Sequence, residues 1–190
     1  NPLNPIQLEQ EERLGVDALN IDYTLGDTST ASMAYAPAHQ DRQRRYAGRL
    51  RVNWNGVDTS LMAGEFAQVQ KLGLGLAGQL GLVGLRSELV ISQYKQERFT
   101  EMVLSADYTS VSGTGFLLEA YFNGEGQSDK AYYEFNRLIQ GELLGVGRHY
   151  IGGKLSKEWT PLFSTSFYAI QNLDDGSRFV YPTLSYVVPQ

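Results

Sequence analysis

Charged and apolar residues alternate at every second position through most of this chain, and a period of two points to extended backbone. In Gly84 to Tyr94, GLRSELVISQY, an extended strand sends Val83, Leu85, Leu89 and Ile91 to one face and Gly84, Arg86, Glu88 and Ser92 to the other. A helix would scatter those charges around its circumference. Leu82, Leu85 and Leu89 alone would also suit a helix, so recurrence decides.

The pattern recurs. Leu19, Ile21, Tyr23 and Leu25 alternate with polar or small residues, as do Met33 and Tyr35. Tyr46, Leu50, Val52 and Trp54 oppose Arg49, Arg51 and Asn53. Asn55-Gly56 then breaks the run, a pair suited to the two positive φ angles of a type I′ hairpin turn. Such a turn sets Trp54 against Val57, Val52 against Thr59, Leu50 against Leu61 and Asn53 against Asp58. Further strands follow at Leu72 to Leu76, Met102 to Tyr108, Phe116 to Phe122, Ile151 to Trp159, Phe163 to Phe167 and Val180 to Val188, the last alternating less cleanly. The reading comprises about eleven strands and one helical stretch, Lys130 to Leu144.

Tight connections are expected at Gly26-Asp27, Asn55-Gly56, Gln79 to Gly81, Ser112 to Gly115 and Thr160-Pro161. Longer, more polar ones are expected at Pro37 to Arg45, Gln68 to Lys71, Lys95 to Arg98, Gly124 to Arg148 and Asn172 to Ser177. The two kinds alternate. In an up-and-down antiparallel sheet, that puts the tight turns at one end and the longer loops at the other.

The 190 residues carry a net charge of -5, which leaves no basic footprint for nucleic acid, and the absence of cysteine excludes a disulfide framework, a thiolate metal site and a cysteine nucleophile. No apolar run reaches the ~18 residues of a spanning helix. That excludes helical spans only, because a membrane strand needs roughly 9 to 11 residues with alternate ones apolar and is compatible with a mean hydropathy of -0.29.

Two barrels share this pattern, a soluble one with its apolar face inward and a membrane one with its apolar face outward. Tyr23, Tyr35, Trp54, Tyr108, Phe122 and Trp159 sit near segment ends on the apolar face, as in interfacial aromatic girdles. About eleven strands also exceed the ~8 that fill their own interior with side chains. Both features favour the membrane arrangement.

The segments LSADYTSVSGTGFLLEAYFNGEG and FVYPTLSYVVPQ, with the opening NPLNPIQLEQEERLGVDAL, resemble the C-terminal half of a porin-like family of bacterial outer-membrane β-barrel proteins. Asp107-Tyr108-Thr109 and Glu119-Ala120-Tyr121-Phe122-Asn123-Gly124 stand where that family has its DYT and E-Y-F/Y-N-G strands. The resemblance implies an all-β, antiparallel, up-and-down transmembrane barrel in the outer membrane, serving as a pore or a scaffold. The chain departs from it by ending in Val-Val-Pro-Gln rather than an aromatic residue, by beginning without a leader and by its odd strand count. Residues 1–190 are therefore read as a single barrel domain, expected to be incomplete at both ends.

The expected pore lining is Asp22, Arg49, Arg51, Arg86, Glu88, Asp107, Glu119, Tyr121 and Lys154. Antiparallel pairing would set Arg86 opposite Asp107 and Asp107 opposite Glu119, as a charged constriction or as a salt-bridge ladder stiffening the wall. Arg49 and Arg51 are selectivity residues or partners of Asp22 or of an acidic residue in a missing strand. Acidic pairs line barrel interiors routinely, so Asp107 with Glu119 is not read as catalytic. His39 and His149 are read as solvated loop histidines, and no cofactor or metal is expected. Gly73, Gly75 and Gly78 either shape the sheet or leave room for an inserted segment. The 25-residue connection Gly124 to Arg148 carries an apolar stripe of Tyr132, Tyr133, Phe135, Leu138 and Ile139, expected to fold into the barrel mouth, cap it or dock on a partner. The partners implied are the lipid bilayer, small polar solutes or ions, and further copies or an envelope protein complex. The reading is thus a channel for passive diffusion, with a non-conducting structural anchor as the alternative.

Overall fold

The computed structural model describes residues 17–38, 44–66, 68–139 and 143–188. Eleven strands follow one another: β1 (Leu19–Leu25), β2 (Ser29–Ala36), β3 (Arg45–Trp54), β4 (Val57–Phe66), β5 (Val69–Leu80), β6 (Val83–Tyr94), β7 (Glu97–Thr109), β8 (Thr114–Asn123), β9 (His149–Thr160), β10 (Phe163–Asn172) and β11 (Arg178–Tyr186). They form one antiparallel sheet in which spatial order equals sequence order, with β1 and β11 at its two ends. From β3 onward each strand has 9 to 13 residues. Strands of globular proteins usually have about 5 or 6.

The contacts divide the chain into two compact units, one containing 17–78 and 87–102, the other 79–86 and 103–188. In the first, the β3–β4 hairpin has the register its Asn-Gly turn demands, Trp54 with Val57, Val52 with Thr59 and Leu50 with Leu61. Asn55 and Gly56 have φ of 51° and 80°, the two positive angles of a type I′ turn. On the opposite face of this hairpin Asn53 and Arg51 both bond Asp58, at 2.7 Å each. The gap left by Gly75 is taken by the Ser60 hydroxyl, which an added Cβ would meet at 2.7 Å, and Met62 lies against Gly73. Between β4 and β5 these two glycines thus accommodate neighbouring side chains.

Two connections in this unit differ from expectation. β4 and β5 are separated by residues 67–68, and β6 and β7 by Lys95 and Gln96 alone, so neither is a longer loop. Gln68 and Lys95 adopt φ of 72° and 54°, which non-glycine residues rarely do, and this strained geometry reverses the chain without a glycine signal. The strict alternation of short and long connections is therefore overturned.

In the second unit β8 pairs with β9 and β9 with β10, with an irregularity between Phe163 and Ser164, and β10 pairs with β11. The expected helix over Lys130 to Leu144 is much shorter. It comprises a 3-10 turn, Lys130–Tyr132, capped by Asp129, and a single short helix, α1 (Phe135–Ile139). Residues 140–142 lie outside the described residues. Five residues make barely one and a half turns, and tertiary hydrogen bonds rather than helical propensity hold this segment.

Within each unit the apolar residues gather on one face of the strands and stay exposed. Ile21, Leu50, Leu61, Leu72 and Leu74 do so in the first, and Leu104, Phe116, Leu118, Leu155 and Phe167 in the second. Among the described residues the buried apolar side chains are only Ala36, Leu143 and Tyr168. The most buried side chain is polar, Asn123 at 2% exposure. The usual inside-out distribution is inverted.

Candidate functional site

The polar face of the second unit is a grid whose rows follow from strand register. Glu158, Ser164 and Ser185 form one row, and Gly115, Ser156, Ser166 and Thr183 the next. Then come Leu117, Lys154, Tyr168 and Tyr181, followed by Glu119, Gly152, Ile170 and Phe179, and finally Tyr121, Tyr150 and Asn172. Every second residue of each strand joins this face because the pleat has a period of two. Tyr121 and Tyr150 stack with ring centroids 6.0 Å apart, and Phe179 and Tyr181 with centroids 6.4 Å apart.

The structure brings Arg86 and Asp107 together, Nη1 lying 2.6 Å from Oδ1. The guanidinium N–H is not aimed at that oxygen, so the contact is an ion pair rather than an aligned hydrogen bond. Gly84 makes room for it, since a Cβ there would meet Asp107 Oδ1 at 2.8 Å. Glu119, Tyr121 and Lys154 share the polar face on β8 and β9. In the first unit Arg51 pairs across the hairpin with Asp58, not with Asp22. Asp22 and Arg49 both align with Ser32, from β1 and β3, and form no ion pair with each other. Glu88, like Asp22 and Arg49, is exposed. Arg49, Glu88 and Lys154 are without an ion-pair partner among the described residues.

Sequence reasoning missed a second cluster, at the end of the second unit that bears the long β8–β9 connection. Asn123 closes β8 and Asn172 closes β10, with exposures of 2% and 4%. Asn123 Nδ2 donates to the Gly145 and Gly147 carbonyls at 2.9 and 3.3 Å, and its Oδ1 accepts the Glu125 N–H at 3.1 Å. Asn172 Nδ2 donates to the Tyr133 hydroxyl at 2.9 Å, and its Oδ1 accepts the Asp174 N–H at 3.0 Å. The Gly147 N–H donates to the Tyr150 hydroxyl at 2.6 Å. Arg148 donates twice to the Gly126 carbonyl, and Arg137 bridges Glu125 and Glu134. Buried amides matched on both ends hold backbone that would otherwise be solvated.

The expected apolar stripe is divided by this network. Tyr133 and Leu138 are half-buried, while Tyr132, Phe135 and Ile139 stay exposed. Tyr133 is fixed by Asn172 and packs edge-on against Phe135 at 5.9 Å. The stripe is thus anchored at one residue and bare at three.

His149 is not a free loop histidine. It opens β9, its Nδ1 lies 2.9 Å from Asp174 Oδ1, and its ring packs against Phe122 with centroids 5.5 Å apart. His39 lies outside the described residues. Asp174 also accepts the N–H groups of Arg148 and His149, at 2.6 and 2.8 Å. Burial pushes its carboxyl up, but the hydrogen bonds from the His149 ring and from these two N–H groups together hold it below the usual carboxylate range. Asp175 is held low as well, by the hydroxyl and N–H of Ser177. A carboxyl lowered by folding stabilises the fold above its unfolded value and loses that contribution as pH falls through the folded value. The contact between the turn at 173–175 and the start of β9 is therefore expected to hold at pH 6 and to loosen below about pH 4. Backbone amide shifts of Arg148 and His149 followed by NMR would report it, and Asp174→Asn should flatten the profile. An unchanged profile in that variant would remove Asp174 from the account.

Among the described residues no group of three His, Cys, Asp or Glu side chains could hold a metal ion. No protein-family model matches the chain, and no curated protein is detectably similar to it.

Proposed function

We propose that this chain forms the wall of an outer-membrane β-barrel of the porin-like class, through whose polar interior small solutes or ions diffuse passively. The observation that carries this reading is the inverted burial: long strands expose their apolar faces and collect arginines, carboxylates and hydroxyls on the other. A soluble monomer leaves an apolar patch of roughly 300 to 600 Å², and a face bearing Leu, Ile, Phe and Trp on strand after strand exceeds that. Lipid is the solvent that suits it. At about 3.3 Å per residue and a tilt of about 40°, strands of 10 to 12 residues rise about 25 to 30 Å, the height of a barrel's apolar band. No helix among the described residues is long and apolar enough to cross a membrane. The exposed Trp54 and Trp159, at the tight-turn ends of β3 and β9, fit an interfacial girdle.

Arg49, Arg51, Arg86, Glu88, Asp107, Glu119 and Lys154 line the proposed path. The paired Arg86 and Asp107 stiffen the wall, and Arg49, Glu88 and Lys154, without ion-pair partners among the described residues, present their charge to solutes. Exposed Tyr132, Phe135 and Ile139, on a loop held by buried asparagines, favour the second reading, a barrel that anchors an envelope protein complex.

Single-channel conductance of the full-length protein in a planar bilayer, under a salt gradient, separates the two. The pore reading expects stable current steps, a shift toward cations in Arg86→Ala and a shift toward anions in Glu119→Ala. A folded, silent barrel would leave the anchor reading.

A further inference from the structure

We infer that the polar face at the tight-turn end of β8 to β11 is a binding basin for a small hydroxylated carboxylate of the sugar-acid type. The basin has a volume of about 370 Å³ and is lined by Lys154, Ser156, Ser164, Ser166, Thr183 and Ser185. These occupy three adjacent rows of the strand grid, the five hydroxyls in the upper two and Lys154 directly below Ser156. Five hydroxyls converging on one concavity are unusual for a wall that only needs to be wet, since each is both donor and acceptor.

Charge sets the polarity of the ligand. Lys154 is exposed, and no carboxylate pairs with it among the described residues, so its ammonium is available to an incoming anion. The second lysine lining the basin, Lys157, donates to the Ser112 carbonyl. Glu158 lies four residues along β9 from Lys154, about 13 Å away at strand rise, and borders the opposite end. A bare inorganic anion would gain from Lys154 and be opposed by Glu158. A hydroxylated carboxylate suits both, with its carboxylate at Lys154, its hydroxyls along the serine rows and its far end donating to Glu158.

Two further features fit a built site. Gly115 forms part of the wall, where a Cβ would meet Ser156 Oγ at 2.7 Å and displace that hydroxyl. Tyr181, in Lys154's row, is exposed and offers a ring to the C–H faces of a polyol. The inference rests on the proposal that this face is the wet one.

The test is titration of the full-length protein in detergent micelles with gluconate, glucose and acetate, read by calorimetry. Saturable gluconate binding is expected, at least tenfold tighter than that of glucose or acetate, because only gluconate combines the charge with the hydroxyls. Lys154→Gln should weaken gluconate roughly tenfold or more and leave glucose unchanged, and Ser166→Ala with Thr183→Ala should weaken both. Circular dichroism of each variant checks that the strands remain. Equal affinity for the three ligands, no saturation, or a Lys154→Gln variant that binds like the parent would overturn the basin. Binding is read without a membrane, so a conducting protein that fails to bind removes only this inference. A silent protein that binds removes only the pore.

Discussion

Leu104→Arg and Leu118→Arg are expected to abolish membrane assembly, whereas Ser105→Arg, one residue along β7 on the opposite face, should assemble normally. Leu104 and Leu118 are 46% and 57% exposed in the middle of their strands, on the apolar face of the second unit. An arginine at the bilayer midplane costs about 2 to 4 kcal/mol. That corresponds to a roughly 30- to 900-fold loss in the equilibrium constant for folding and insertion of each variant. Ser105 shares its face with Asp107, where a guanidinium stays hydrated. Alkaline extraction of membranes followed by quantification of the retained protein would measure the difference. If Leu104→Arg stayed in the membrane as the parent does, the apolar face would not be the lipid face, and a covering protein partner would become the better account.

Asn123→Ala should release the β8–β9 connection and leave the strands standing. The side chain satisfies two carbonyls and one N–H in a site with almost no solvent access, and its removal strands all three. Each buried group left unmatched costs about 1 to 3 kcal/mol, enough in sum to exceed the local stability of a loop. Gly126→Ala should act in the same direction, because a Cβ there would collide with the Gly147 carbonyl, and neither backbone can yield without breaking the bridge between Gln127 and Gly147. Amide hydrogen exchange is the measurement. Faster exchange across 125–139 and 143–148 is expected, with β8, β9 and β10 still protected. Uniform loss of protection would show that the connection holds up the sheet, and unchanged exchange would show that the buried asparagine contributes little.

These two results depend on parts of the molecule with different legibility. The face that carries Leu104 and Leu118 could be read directly from residue order. A strand's pleat has a fixed period of two, so parity along the chain places a side chain without reference to anything distant. The Asn55-Gly56 turn was legible for the same local reason, and it transmitted register along the whole β3–β4 hairpin. Parity also put Arg86 and Asp107 on one face, although the two-residue turn at Lys95 and Gln96 is shorter than the loop expected between their strands, so their contact itself came only with the structure.

The turn at Lys95 escaped because its positive φ is imposed on an ordinary residue by the strands it joins. The asparagine network escaped for a stronger reason. Asn123 reaches carbonyls 22 and 24 residues away, Asn172 reaches a hydroxyl 39 residues back, and Asp174 gathers groups from 25 and 26 residues back. No local pattern of asparagine or histidine distinguishes such a partner from a solvated loop residue.

The sequence by itself therefore determined the strands, their two chemically distinct faces and the tightest hairpin, because each depends on neighbours a few residues apart. Only the tertiary structure decided which charges are paired, how the long connection is held and where hydroxyls from β9, β10 and β11 meet beside Lys154. Those depend on hydrogen bonds and row alignments between strands, whose energies appear only once the backbone has brought distant residues within about 3 Å.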